Sequence, residues 1–173
     1  LSVPIAKSDM SFGASLRGGR IEYGLRTLNT LFTQRPNLLH PRFLGMVRDI
    51  LRFNARAAQC VAPGMTVGGL IEAMRLGDWF RDFYLLPLSG AIWSSPCAAI
   101  LDFPADAMIR FFDNHALLQA SGQHQWYTVD GGSRQYVSRL SAALDRAGVT
   151  VHRGAAATCV RRTPTGVEVR AAG

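Results

Sequence analysis

Lysine is nearly missing from this sequence. Lys7 is the only one among 19 basic residues, and the remaining arginines carry the net charge of +7. Those arginines are dispersed, with no run of them, so the clustered basic face that marks a nucleic-acid binder is absent and no nucleic-acid partner is expected. Cysteine is scarce. Cys60, Cys97 and Cys159 form no C-x-x-C pair, which argues against both a zinc site and a disulfide framework. Three scattered thiols suit a reducing compartment, so a cytoplasmic location and no metal are expected. Long apolar runs are lacking too. The longest, Leu85 to Trp93, is about half a membrane span. The opening residues L-S-V-P-I-A-K-S-D lack the basic and then apolar regions of a signal peptide. No G-x-G-x-x-G occurs; Gly64, Gly68 and Gly69 follow no strand at the needed spacing, and no phosphate-loop Lys-Ser/Thr accompanies them. H-E-x-x-H, G-x-S-x-G and a calcium loop are also missing. The residues by themselves therefore spell no known catalytic constellation.

What is present is a globular chain. Hydrophobic residues at 48% exclude disorder, and 173 residues suffice for one domain with a real core, or one domain plus a piece of another. The sequence starts at Leu1 and stops at Gly173 just after the strand-like G-V-E-V-R. It reads as a segment of something longer.

In chain order, Phe12, Ala14 and Leu16 alternate with small residues, Gly18-Gly19 follows, and Ile21 to Tyr23 return, which predicts a two-stranded hairpin. Residues 25–40 suggest an irregular connection or a short helix around Leu28 to Phe32. A helix is predicted over 41–61, with Pro41 at its first position and Phe43, Val47, Ile50, Leu51, Asn54 and Ala58 on its inner face. Arg48, Arg52 and Arg56 then form a row that reads as a solvated face or, alternatively, a phosphate- or partner-binding one. Thr66 caps a short helix carrying Leu70, Met74 and Leu76, with Gly77 as its stop and Asp78 as the next cap. Trp79, Phe80, Phe83, Tyr84 and Leu86 make a buried helix that Pro87 bends or breaks. The density of large apolar residues from Leu70 to Leu101 indicates a thick core or the wall of an apolar cavity. Asp102 and Pro104 open another helix with Met108, Phe111, Phe112, His115, Leu118 and Gln119 inward. Asp102 and Asp106 read as charges favourable to the helix dipole. His115, among aromatics, reads as a neutral core histidine donating one hydrogen bond, or as a catalytic or ligand-binding group. Ser121 to His124 form a loop.

The stretch Trp126 to Leu140, W-Y-T-V-D-G-G-S-R-Q-Y-V-S-R-L, predicts a strand, a Gly131-Gly132 turn and a helix capped by Ser133. Tyr136, Val137, Leu140, Leu144 and Ala147 share that helix's apolar face, and Gly148 ends it. A strand over Val149 to Val151, another over Ala155 to Arg162, a turn at Pro164 to Gly166 and a last strand over Val167 to Arg170 follow.

The order W-x-x-V-x-G-G-S-R-x-Y-V-x-x-L, L-x-x-A-G-V-x-V, then T-x-V and G-V-x-V, over Trp126 to Arg170, resembles the flavin-containing amine oxidase superfamily. Upstream, S-D-M-S-F (Ser8 to Phe12), R-D-I-L-R-F-N (Arg48 to Asn54), F-R-D-F-Y-L-L-P-L (Phe80 to Leu88), A-I-W-S-S-P (Ala91 to Pro96) and L-D-F-P-A (Leu101 to Ala105) resemble its branch of bacterial proteins described as predicted NAD/FAD-binding proteins. The resemblance implies an α+β fold. Residues 1–125 would form a substrate-binding domain, a helical layer on a small antiparallel sheet. Residues 126–173 would return towards the FAD domain as a strand, helix and hairpin tail. It implies Gly131, Gly132, Ser133 and Arg134 near the flavin, and Ala157, three before Val160, at the adenine. Met10, Trp93, Phe112 and His115 are the candidates for the substrate pocket. The parent would be an FAD-dependent oxidoreductase acting on a small or lipidic substrate by hydride transfer to the flavin. The family's N-terminal dinucleotide fingerprint and C-terminal flavin-closing motif have no counterpart in these residues, so this segment is expected to bind FAD weakly or not at all and to be inactive alone. Its partners would be the substrate, the rest of its FAD domain, and a second copy of itself through the uncovered apolar face. Two rivals stand beside this reading: a non-catalytic apolar-ligand or lipid-binding module, and a basic interaction module using Arg48, Arg52 and Arg56.

Overall fold

A computed structural model describes residues 2–119 and 125–172, so the loop expected at Ser121 to His124 lies outside the described residues. The protein is mixed α+β. The chain folds as two compact units, one over Asp9–Trp126 and the other joining Leu1–Ser8 to Tyr127–Gly173.

The chain opens with β1 (Ile5–Ser8) of the second unit and then enters the first through a hairpin. β2 (Gly13–Leu16) pairs antiparallel with β3 (Ile21–Gly24), Leu16 opposite Ile21 and Gly13 opposite Gly24. Alternation sends Ile21 and Tyr23 into the core. The short helix near residue 28 is α1 (Leu28–Leu31), closed at its start by a capping box between Thr27 and Thr30. A single 3-10 turn, Arg35–Leu39, leads to the long helix.

That helix, α2 (Pro41–Cys60), starts with Pro41 at its first position, and the His40 ring accepts the Phe43 N–H at 3.3 Å. Its buried face differs from the predicted one. Phe43 is buried, but Met46, Asp49, Phe53 and Ala57 complete the face, while Leu51 and Ala58 are exposed. The cause is Asp49, a carboxylate on the inner face whose charge is met by Arg48 at 3.1 Å, Arg52 at 3.2 Å and the Gly77 N–H at 2.9 Å. Arg52 also donates to the Met74 carbonyl at 2.8 Å. Two members of the predicted arginine row thus wrap a buried acid, and only Arg56 of the three makes no such contact among the described residues.

Thr66 caps α3 (Val67–Ala73) by accepting the Gly69 N–H at 3.1 Å. Met74 closes this helix, and Gly77, not Asp78, is the N-cap of α4 (Asp78–Phe80). A side chain at Gly77 would crowd Asp49: an ideal Cβ there lies 3.2 Å from Oδ2. From α4 the chain passes through a π-helical turn, Arg81–Leu85, into α5 (Leu86–Trp93) without leaving the helical path. Pro87 neither ends nor breaks this path. It has no N–H to return to the Phe83 carbonyl in the i to i−4 pattern, the widened turn precedes it, and the Tyr23 hydroxyl donates to that carbonyl instead.

α6 (Cys97–Ile100) is a single turn, and α7 (Ala105–Asn114) follows. Backbone bonds Val67 N–H to Phe103 O and Ala105 N–H to Met65 O, both 2.9 Å, tie the starts of α3 and α7 together. Ala105, Met108, Ile109 and Phe112 face the core, and Asp106 near the first turn pairs with Arg110 at 3.0 Å. The centre is aromatic. Phe53 meets Phe80 at 5.2 Å and Phe112 edge-on at 6.2 Å, and Phe112 stacks on Trp93. Each fully buried phenylalanine contributes about 2–3 kcal/mol of transfer free energy.

In the second unit β1 pairs with β4 (Trp126–Val129), and the Asp130 N–H reaches the Pro4 carbonyl at 3.0 Å. Gly131 and Gly132 hold φ of 77° and 78°, which only glycine takes without strain, and lead into α8 (Ser133–Arg146). Gly132 is the N-cap and Ser133 the first helical residue, so Ser133 makes no side-chain cap. Val149 to Val151 is not a strand, because no neighbouring strand is laddered to it among the described residues. β5 (Ala157–Thr163) and β6 (Gly166–Ala171) form an antiparallel hairpin. No residue of α8 is buried; Tyr136, Val137 and Leu140 are 46%, 56% and 36% exposed.

Candidate functional site

Within the larger unit, a cavity of about 410 Å³ opens beside the hairpin, α5 and α7. Met10, Ser11 and Phe12 lie just before the start of β2, and Leu25 follows β3. Leu88, Ala91 and Ile92 repeat at i, i+3 and i+4 along α5, which puts them on one face. Tyr84 comes from the π-helical turn, Phe111 from α7, and His115, Leu117 and Trp126 complete the wall. The lining is overwhelmingly apolar with a few convergent polar groups, the usual character of a small-molecule site.

Three polar side chains meet this space. Ser11 is exposed. Tyr84 is 2% exposed, burial pushes its hydroxyl well above the usual tyrosine range, and that hydroxyl makes no hydrogen bond among the described residues. Its neighbour Tyr23 is raised as well, chiefly by burial and then by Tyr84. His115 lies just past the end of α7, its ring stacked on Phe111 at 4.0 Å and facing Trp126 at 6.1 Å. Its Nδ1 lies 2.8 Å from the Phe111 carbonyl. A carbonyl can only accept, so Nδ1 carries the hydrogen. A smaller recess of about 220 Å³ shares Leu25, Tyr84 and Leu117 with the first and adds Arg26, Asn54 and Gln119. Asn54 Oδ1 is buried there without a partner among the described residues.

Of the four residues put forward for a substrate pocket, Met10 and His115 line this cavity, and Trp93 and Phe112 do not. Phe112 is fully buried and stacks on Trp93 at 6.2 Å, behind the wall. Their sequence neighbours Ile92 and Phe111 take the lining positions. The signal lies in the spacing: Phe111 and His115 are four apart and share a face, from which Phe112 is rotated by one residue. Phe12, Leu25, Tyr84, Leu88, Ala91, Leu117 and Trp126 also line the cavity, and the sequence does not single them out for it, because a void leaves no local signature.

Gly131, Gly132, Ser133, Arg134 and Ala157 all lie in the smaller unit. The glycines form the turn before α8, where Gly132 donates to Val129 O and accepts from Gln135 N–H, each at 3.0 Å. The Gln135 side chain covers Gly131. Arg134 is exposed in the first turn of α8. Ala157 opens β5 opposite Ala171, at a register shift. The start of a 14-residue helix with no side-chain cap leaves first-turn N–H groups that fit an anionic or carbonyl edge.

Among the described residues no group of three or more His, Cys, Asp or Glu side chains is placed to hold a metal ion, and no helix is long and apolar enough to cross a membrane. No family model, curated protein or solved structure matches this chain.

Proposed function

We propose that this chain supplies the substrate cavity of an FAD-dependent oxidoreductase of the amine-oxidase-like kind. The observation that carries the proposal is the apolar cavity bounded by the segment before β2, α5 and α7, with its few polar groups. Its size and lining favour a small, largely apolar or lipidic molecule. The oxidoreductase part rests on the resemblance of Trp126 to Arg170 and of the upstream motifs. The uncapped start of α8 and the Gly131-Gly132 turn offer backbone donors of the type a flavin edge or phosphate needs.

FAD, when bound, would accept the hydride. The chain's own side chains would hold the substrate, orient it and exclude water. Leu88, Ile92, Phe111 and Leu117 would face the apolar body, and Tyr84 and His115 supply polar groups to the same lining. The exposed stripe of Tyr136, Val137 and Leu140 would be covered by the remainder of the flavin-holding region or by a second copy.

The test is made on the protein expressed from its complete natural gene. It should carry flavin absorbance, and n-octanol should perturb that spectrum. Ala91→Trp, which fills the cavity from its open side, should keep the flavin and remove the perturbation. A colourless protein would overturn the oxidoreductase reading. A stoichiometric flavin on the 173-residue chain alone would overturn the division of labour.

A further inference from the structure

The polar groups of the cavity differ in what they can offer, and that difference selects a ligand. His115 Nδ1 spends its hydrogen on the Phe111 carbonyl at 2.8 Å. In a neutral imidazole the other nitrogen then carries a lone pair and no hydrogen. Nε2 has no partner among the described residues, so the described part of the lining includes a residue with an unspent acceptor. The ring cannot readily turn over to change this. It is stacked on Phe111 at 4.0 Å with the planes 21° apart, and Trp126 lies nearly parallel at 6.1 Å. Tyr84, whose hydroxyl is also unpaired among the described residues, is a second residue of the same lining with a polar group.

We infer that the cavity selects apolar molecules ending in a neutral hydroxyl, and that His115 Nε2 is the specificity-determining acceptor. An alcohol can donate its O–H to Nε2. An ether of the same length can only accept. It leaves Nε2 desolvated and unpaired, which is unfavourable in a site this apolar. A carboxylate has no hydrogen for Nε2 and adds a charge that the lining does not compensate. This inference rests on the cavity being a ligand site, as proposed above, and names what that site takes.

The test compares n-octanol, heptyl methyl ether and n-nonane, which are matched in size, on the full chain. Tryptophan fluorescence or calorimetry gives the affinities. The alcohol should bind about threefold to tenfold more tightly than the ether, the ordinary net effect of one hydrogen bond. His115→Phe keeps an aromatic ring in the stack and should erase this preference while retaining ether binding. His115→Gln, which restores an acceptor, should recover part of it. Nitrogen NMR of histidine-labelled protein should show the His115 Nδ1–H tautomer without ligand. Equal affinity of the wild type for alcohol and ether, or a preference that survives His115→Phe, would overturn the inference while leaving an apolar site standing. If none of the three molecules binds, the site and the inference fall together. A hydrogen found on Nε2 with Nδ1 bare would overturn the inference without any ligand.

Discussion

Tyr23→Phe deletes one oxygen and is expected to reveal how the Pro87 region is held together. The Tyr23 ring is 4% exposed and meets Phe43 edge-on at 6.2 Å, a contact that phenylalanine preserves. The hydroxyl donates to the Phe83 carbonyl, the group to which Pro87 cannot return an α-helical N–H. Loss of the donor forfeits a buried hydrogen bond and leaves that carbonyl short of a partner, so the cost should be about 1–3 kcal/mol. Tyr84→Phe is the control. It removes the same group from an equally buried tyrosine whose hydroxyl has no partner among the described residues, so it should be neutral or slightly stabilising. Urea unfolding gives both values, provided the slope m stays constant between variants. Pro87→Ala closes a double-mutant cycle: it supplies the missing N–H, so Tyr23→Phe should cost less in that background. Equal effects of Tyr23→Phe and Tyr84→Phe, or no coupling to Pro87, would show that the hydroxyl does not stand in for the missing N–H.

Asp49→Ala should destabilise by about 2–4 kcal/mol, because it strips the partner from the Gly77 N–H and from Arg52. The figure is held below that for a fully buried pair because the Arg48 and Arg52 side chains are 69% and 40% exposed. Asp49→Asn keeps an acceptor and should cost about half as much in the same urea assay. The two buried tyrosines predict alkaline instability. Both stay protonated in the folded protein to a higher pH than in the unfolded chain, where tyrosine titrates near about 10. The unfolded state therefore loses protons first. Stability should be level below about pH 10 and fall above it. Thermal melts across that range, with tyrosinate absorbance rising together with unfolding, check this; a melting temperature that stays level well above that pH would contradict it. The uncovered α8 stripe predicts concentration-dependent association in sedimentation experiments, weakened by Leu140→Glu.

Local chemistry makes the element boundaries readable. Pro41 after His40, Thr66 before α3, the Gly-Gly before α8 and Gly148 after it are signals carried by one or two residues. Orientation and voids are not readable in the same way. The hydrophobic pattern correctly turns Val47 and Ile50 towards the core but adds Leu51 and Ala58 to the inner face of α2, because such a pattern avoids a carboxylate. Asp49 is admitted to the core by a backbone N–H 28 residues away, which no window of sequence contains. Val149 to Val151 alternates like a strand, but a strand needs a partner, and none is paired to it among the described residues. The abundance of aromatics between Leu70 and Phe112 is plain in the sequence. Which of them pack on each other and which border empty space depends on a rotation of one residue, as Phe111 and Phe112 show.

The substrate site proposed for this chain depends on the substrate sitting in the cavity beside the segment before β2, α5 and α7. The decisive measurement is a titration with N-phenylnaphthylamine, an uncharged apolar fluorophore, run side by side on the wild type and Ala91→Trp. Saturable, one-to-one enhancement is expected with the wild type and at least about a tenfold weaker affinity for the variant, with both proteins equally folded by circular dichroism. Absent binding to the wild type, or equal binding by the folded variant, would place the substrate elsewhere.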